Sequence, residues 1–96
     1  KRNSIAIIYV DSYGNAISNI TKSDFNKYNK NNNFVILFGR ENEQITKISS
    51  KYKDVLASEK LALFGENNFL QIAINQGAAN KLLGLRMHEI IRIEFL

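Results

Sequence analysis

Short runs of apolar and β-branched residues, each stopped after a few positions by a polar turn, limit what this chain can fold into more than any other feature. Residues 5–10 run into Asp11-Ser12-Tyr13-Gly14-Asn15, where Gly14 and Asn15 tolerate positive φ, and residues 16–20 resume as a second strand. Residues 34–38 are continuously apolar, the pattern of a buried strand. The turn at residues 39–42 then leads back along residues 43–49, with Ile45 and Lys47 on one face and Thr46 and Ile48 on the other. Residues 61–64 and 69–74 flank the turn at 65–68, and residues 89–96 alternate charged and apolar positions around a last strand.

Two stretches read as short helices. Residues 21–28 offer Thr21 or Ser23 as a cap, Asp24 in the first turn, and Phe25 and Tyr28 on one face. Residues 77–83 end at Gly84, suited to the C′ position. Residues 30–33 are a polar break too short to link two domains, and residues 49–60 fit either an irregular or a weakly helical segment. About seven strands and one or two short helices make the fold mostly β. A small closed antiparallel β-barrel is the expected form, because closing the sheet on itself removes its exposed edges.

With 96 residues and 45% hydrophobic content, the chain is expected to be a single domain, residues 1–96, with an ample core. It opens without Met directly into an apolar run, as a domain taken from a longer protein would. It has no cysteine, which removes disulfides and thiolate metal sites and is compatible with a reducing, cytoplasmic setting. One histidine, His88, cannot make a zinc site alone, and no apolar run approaches the roughly 18 residues of a membrane span. The net charge is +4. A basic balance favours anionic partners, but these lysines are scattered among acidic residues, as on a solvated surface, so neither nucleic acid nor membrane is expected as a partner.

The segments 11–20 and 64–84 share one character: a turn dense in side-chain amides between two apolar strands. Neither holds a nucleophile with its base or a set of metal ligands. The chemistry they can support is binding, or half of an active site.

These same residues carry a resemblance. Asp11-Ser12-Tyr13-Gly14-Asn15-Ala16-Ile17-Ser18-Asn19-Ile20 resembles the Asp-x-Phe-Gly-Asn-x-x-Thr-Asn-Ile signature of the SAM hydroxide adenosyltransferase family, whose relatives are the SAM-dependent fluorinase and chlorinase. Residues 64–84 resemble that family's Gly-Ser-x-Gly-Tyr-Leu-Glu-Ile-Ala-x-Asn-x-Gly-x-Ala segment, and Lys51-Tyr52-Lys53-Asp54 its Thr-Tyr/Phe-Ala-Asp element. The likeness runs from about residue 5 to the end and is to the C-terminal domain alone. It implies a small β-barrel whose loops meet the N-terminal domain of a neighbouring subunit in a homotrimer. S-adenosyl-L-methionine is bound at that seam as substrate, with no separate cofactor. The Asp, Arg and His that activate water in the family belong to the N-terminal domain, so the resemblance assigns this chain no catalytic residue.

The resemblance also implies roles. Asn15 matches the Asn whose amide bonds the adenine edge, for which a side-by-side donor and acceptor are suited. Taken alone, it reads as a turn Asn bonding its own backbone. Tyr13 matches an aromatic of the same loop, and Ile17 a position often aromatic in the halogenases. Tyr52 matches the ring that stacks on adenine, or simply covers the core. Ile74, Asn75 and Gln76 match the stretch whose backbone bonds adenine, although Ile74 also reads as plain core. Glu66 departs from the family Ser near the methionine end, Asn67 stands where the fluorinase has Arg, and Asn68 replaces the turn Gly. Those three also read as a solvated hairpin turn, and His88 as a surface turn residue. The turns at 13–15 and 66–68 and the segment 74–76 are expected to converge on one end of the barrel. The expected function is substrate binding for a SAM hydrolase that forms adenosine and methionine. Two alternatives remain: a basic barrel binding single-stranded nucleic acid through Tyr28, Tyr52 and nearby lysines, and a purely structural domain.

Overall fold

The computed structural model describes residues 2–39 and 41–96, and among these it contains seven strands and two short α-helices. The strands are β1 (Arg2–Val10), β2 (Ala16–Thr21), β3 (Phe34–Phe38), β4 (Glu43–Ile45), β5 (Lys60–Phe64), β6 (Phe69–Ile74) and β7 (Ile90–Phe95). The helices are α1 (Lys22–Tyr28) and α2 (Ala79–Leu82). All strand pairs are antiparallel, in the order β4-β3-β7-β1-β2-β6-β5. The sheet coils until its edges β4 and β5 meet, giving a nearly closed barrel. The seam is held by the Lys60 Nζ–Glu43 Oε1 ion pair at 3.0 Å and by the Ser49 N–H donating to the Ala62 carbonyl at 2.8 Å.

Alternation along the strands builds the core. Ile7, Ile36, Leu70, Ile72, Ile91 and Ile93 point into the barrel and are fully buried. One end is plugged by α1. Thr21 Oγ1 accepts from the Asp24 N–H at 3.1 Å, so Thr21 rather than Ser23 is the cap. The helix then drops Phe25 edge-on against Phe34, Phe95 and Phe64, with ring centroids 5.0, 5.3 and 5.5 Å away. Burial of that ring alone contributes about 3 kcal/mol, and each edge-to-face contact adds about 1 kcal/mol.

Three boundaries differ from the sequence expectation. β1 starts at Arg2, because Arg2, Asn3 and Ser4 find partners in Glu94, Ile93 and Arg92 of β7. β4 stops at Ile45 instead of running to residue 49: the backbone leaves β3, crosses the seam and bonds β5 through Ser49. The in–out alternation expected for Thr46 to Ile48 lapses with it. α2 is shorter than residues 77–83, since Gly77 bridges back to Ile74, but it does end with Gly84 at φ +67. The expected turn at 39–42 includes Arg40, which lies outside the described residues.

Residues 46–59 form a strap across the outward face of β5 and β6. A single 3-10 turn, Tyr52–Asp54, supplies the helical character of this segment. Beneath it, Leu61, Leu63 and Ala73 make a second, smaller apolar cluster with Val55. The strap decides where the site lies.

Candidate functional site

The Asp11–Asn15 turn is organised by one carboxylate. Asp11 Oδ1 accepts from the Tyr13 N–H at 3.0 Å and the Asn15 N–H at 2.9 Å, and Oδ2 accepts from Asn15 Nδ2 at 3.0 Å. Gly14 sits at φ +87 with its back against the start of α2. A Cβ there would lie 2.5 Å from Asn80 Oδ1 and 2.7 Å from Ala78 Cβ, so the close approach requires glycine. The Asn80 N–H donates to the Gly14 carbonyl at 2.8 Å and completes the buttress.

This frame holds Asn15 at 5% exposure with its amide orientation settled. Nδ2 donates to Asp11 Oδ2 and to the Tyr52 hydroxyl, the latter at 3.1 Å, so both amide hydrogens are committed. An ionised carboxylate can only accept, which turns the NH2 toward Asp11 and leaves Oδ1 as the available group. None of the described residues donates to that oxygen. The expected pairing of a donor and an acceptor on Asn15 therefore reduces to an acceptor. Tyr52 reaches this point from the strap, and its hydroxyl also accepts from Gln71 Nε2 at 3.3 Å.

Tyr13, Asn15, Tyr52, Ile74, Gln76 and Gly77 line one cleft of about 460 Å3, within the range of small-molecule sites. Five of the seven residues singled out from the sequence meet there. Tyr13 is almost fully exposed at the rim, and Gln76 turns through φ +60. The Asn75 main chain is committed to the strap: its N–H donates to Glu59 O at 3.0 Å and its carbonyl accepts from the Ser58 N–H at 2.7 Å. Of the 74–76 stretch, Ile74 and Gln76 are the residues that line the cleft.

Glu66 and Asn67 are elsewhere, which corrects the expectation of one shared end. β6 pairs antiparallel with both β5 and β2, so the turn at 65–68 and the segment 74–76 lie at its opposite ends. They are separated by about 20 Å for six residues of strand. Both side chains are exposed, and Asn67 Oδ1 accepts from the Phe69 N–H at 3.0 Å, as in a hairpin turn. Asn68, at φ +66, adopts the left-handed conformation that lets it stand in for glycine. The cleft itself lies where β2 begins and β6 finishes, because Ala16 pairs with Ile72, so the turn at 13–15 and the segment 74–76 do share one end of the barrel. Ala16 and Ile72 face the core, so their neighbours Ile17 and Gln71 face outward beneath the strap. Asn15 shares that face, because its amide meets the same Tyr52 hydroxyl as Gln71.

Three contributors were given no role in the sequence: Asp11, Gln71 and Asp54. An Asp four residues before an Asn, with Gly between, is a legible turn signal. A lone Gln in the apolar run 69–74 is another. Asp54 appears in the sequence only as the last residue of the Lys51-Tyr52-Lys53-Asp54 element, with no role; in the structure its Oδ2 accepts from the N–H groups of Ser50 at 2.8 Å and Lys51 at 3.3 Å. The Ser50 bond, with help from the Lys51 N–H and the Lys51 and Lys47 charges, holds its carboxyl below the usual value against the opposing effect of desolvation.

Other clefts are as large, about 480 Å3 at the β4/β5 seam and about 570 Å3 beside α1, so size does not select the site. Convergence of oriented amides with aromatic rings does. Among the described residues no cluster of His, Asp or Glu could hold a metal ion, and no helix is long and apolar enough to cross a membrane. His88 sits exposed in a turn at φ +72.

Two solved structures are among those to which the chain is similar. One is an uncharacterized conserved protein from Thermotoga maritima, 25% identical, with a TM-score of 0.78 over 96% of this chain and 35% of that one. The other is a conserved hypothetical protein from Thermus thermophilus, 20% identical, with a TM-score of 0.73 over 95% of this chain and 34% of that one. The chain thus spans about a third of the length of the structures it matches. Among proteins with curated descriptions, none matches it. The sequence profile described as SAM hydroxide adenosyltransferase C-terminal domain matches residues 5–92, nearly the whole barrel together with the cleft and its strap. The chain belongs to the family of SAM hydroxide adenosyltransferase C-terminal domains.

Proposed function

We propose that this domain is the adenosine-side wall of a S-adenosyl-L-methionine site in a longer SAM hydrolase, which forms adenosine and methionine with water or hydroxide. The observation that carries the reading is the cleft with its oriented amide. Asn15 Oδ1, with both Nδ2 hydrogens committed elsewhere, suits the exocyclic amino group of adenine, a hydrogen-bond donor. The Gln76 peptide supplies a second contact to the base edge, and the rings of Tyr52 and Tyr13 offer stacking worth roughly 1–3 kcal/mol per base.

The cleft is one-sided, and Glu66 and Asn67 are too distant to share it with the base. The ribose and methionine are therefore received largely by the parent's N-terminal domain, from a neighbouring subunit of a homotrimer. Activation of water belongs there too, because general-base catalysis needs groups this cleft lacks. A cytoplasmic setting fits a chain without cysteine.

The test is adenosine titrated into the 96-residue chain and followed by amide chemical shifts. Shifts are expected at Tyr13, Asn15, Tyr52 and Gln76, with weak affinity, and none at Glu66 or Asn67. No adenosine release from S-adenosyl-L-methionine above the uncatalysed background is expected. Shifts confined to other surfaces would overturn the assignment, and turnover by the chain alone would overturn the division of labour.

A further inference from the structure

The ring proposed to stack on the base is carried by a segment with almost no regular structure, so something other than a helix or strand must place it. The strap has two fastenings of different kinds. Its downstream end is pinned to β6 by main-chain bonds: the Ser58 N–H to Asn75 O at 2.7 Å and the Asn75 N–H to Glu59 O at 3.0 Å. Asn75 Nδ2 adds a bond to the Val55 carbonyl at 2.9 Å. Its upstream end touches the barrel through the Ser49 N–H. Between them, the Tyr52 side chain bonds the barrel through its hydroxyl, to Asn15 and Gln71.

The turn that aims this hydroxyl is closed by one side chain. Asp54 Oδ2 gathers the N–H groups of Ser50 and Lys51, and within the same turn the Asp54 N–H donates to Lys51 O at 3.1 Å and the Val55 N–H to Tyr52 O at 3.3 Å. The carboxylate thus bends the backbone immediately before and after Tyr52. Without it, two amides lose their acceptor and the residue is free to rotate the ring off Asn15.

We propose that Asp54 is a positioning residue for Tyr52: by clamping the amides of Ser50 and Lys51 it presents the Tyr52 ring to the cleft and keeps its hydroxyl on Asn15 and Gln71. The proposal rests on the adenosine-wall reading for its ligand but not for its mechanism. Asp54 touches neither the cleft nor a ligand. Its effect is on the fraction of molecules in which Tyr52 is in place, so it lowers apparent affinity without altering which groups bind.

The experiment compares Asp54→Ala with Asp54→Asn in the 96-residue chain, read by amide hydrogen exchange without ligand and by adenosine affinity. In Asp54→Ala, exchange at Val55 should rise roughly tenfold or more while Ser58 and Asn75 stay protected, because their bonds are independent of the clamp. Adenosine affinity should fall about tenfold, in line with loss of a preorganised ring. Asp54→Asn should recover most of both, since one amide oxygen can accept from the same two N–H groups. Equal loosening at Val55, Ser58 and Asn75 in Asp54→Ala would overturn the proposal in favour of general unfolding of the strap. So would an Asp54→Asn chain no better than Asp54→Ala. If wild type binds no adenosine, the adenosine reading fails, while the exchange pattern and its rescue still decide the role of Asp54.

Discussion

The turns at residues 11–15 and 65–68 look alike in sequence: each sets glycine and asparagine between apolar strands. In the fold they are opposites. The first is walled in. Gly14 is pressed against Ala78 and Asn80, Asn15 is buried, and a carboxylate, a tyrosine and a helix N-terminal amide all bond to it. The second is a free-standing hairpin. Glu66, Asn67 and Asn68 are exposed, and its bonds are local apart from the Lys22 N–H donating to the Asn68 carbonyl at 2.8 Å. What differs is the surroundings: one turn has a strap and a helix folded over it, while the other leaves its three polar side chains in solvent. An amide becomes a recognition group when neighbours commit one end of it and leave the other available. An amide in water stays a turn residue.

The comparison can be broken most directly at its glycines. Gly14→Ala should lower the unfolding free energy by about 3 kcal/mol in urea titration, combining an unfavourable positive φ with a collision against backbone and Ala78. Gly65→Ala should cost less, about 1 kcal/mol, since its φ is not positive and its Cβ would meet side-chain oxygens of Gln71 at 3.3 Å and Asn67 at 3.4 Å rather than backbone. Equal losses would mean that the two turns are equally constrained.

Function sharpens the contrast next. In the full-length parent, Asn15→Ala should raise KM about tenfold, or about 1.4 kcal/mol, while Asn67→Ala should leave it within about twofold. Steady-state kinetics with S-adenosyl-L-methionine would show this, and a reversed order would move the site to the hairpin. A smaller effect separates Tyr52→Phe from Glu66→Gln. The first strips a hydroxyl from two part-buried amide donors and should cost about 1 kcal/mol of stability. The second changes an exposed side chain and should stay within about 0.5 kcal/mol.

Acid gives the mildest test. The Asp54 carboxyl is held below its ordinary value by the Ser50 and Lys51 amides, so its contribution is fully present above the ordinary carboxylate range. That contribution is lost as pH falls through the depressed folded value. Amide exchange corrected for intrinsic rates should therefore loosen at Val55 on acidification before it changes at Phe69, whose N–H is held by the neutral Asn67 amide. Simultaneous loosening would deny the carboxylate its local role.

Much of this was legible before any coordinates. The apolar runs at 34–38 and 69–74 became β3 and β6 with the same bounds, and Thr21 with Asp24 marked the start of α1. Tyr13, Asn15, Ile74 and Gln76 were named from their segments and meet in one cleft. The strap was not legible. Residues 46–59 lack a period because their partners change along the way, from β5 at Ser49 to Asn15 and Gln71 at Tyr52 and then Asn75 at Ser58. The placement of Glu66 was misjudged for a related reason: likeness between turns says nothing about which end of a strand each one occupies.

Sequence by itself determined the number and type of strands, the start of α1 and the turn glycines. Those depend on local backbone preference and on side-chain alternation, which short segments encode. Only the tertiary structure decided that Asn15 presents an oxygen and not its NH2, that Glu66 and the cleft lie at opposite ends of β6 and that Tyr52 reaches Asn15 and Gln71 from the strap. Each of these depends on hydrogen bonds between groups brought together by closure of the sheet. Asn15 meets Tyr52 across 37 positions of chain and Tyr52 meets Gln71 across 19, contacts that no local pattern contains.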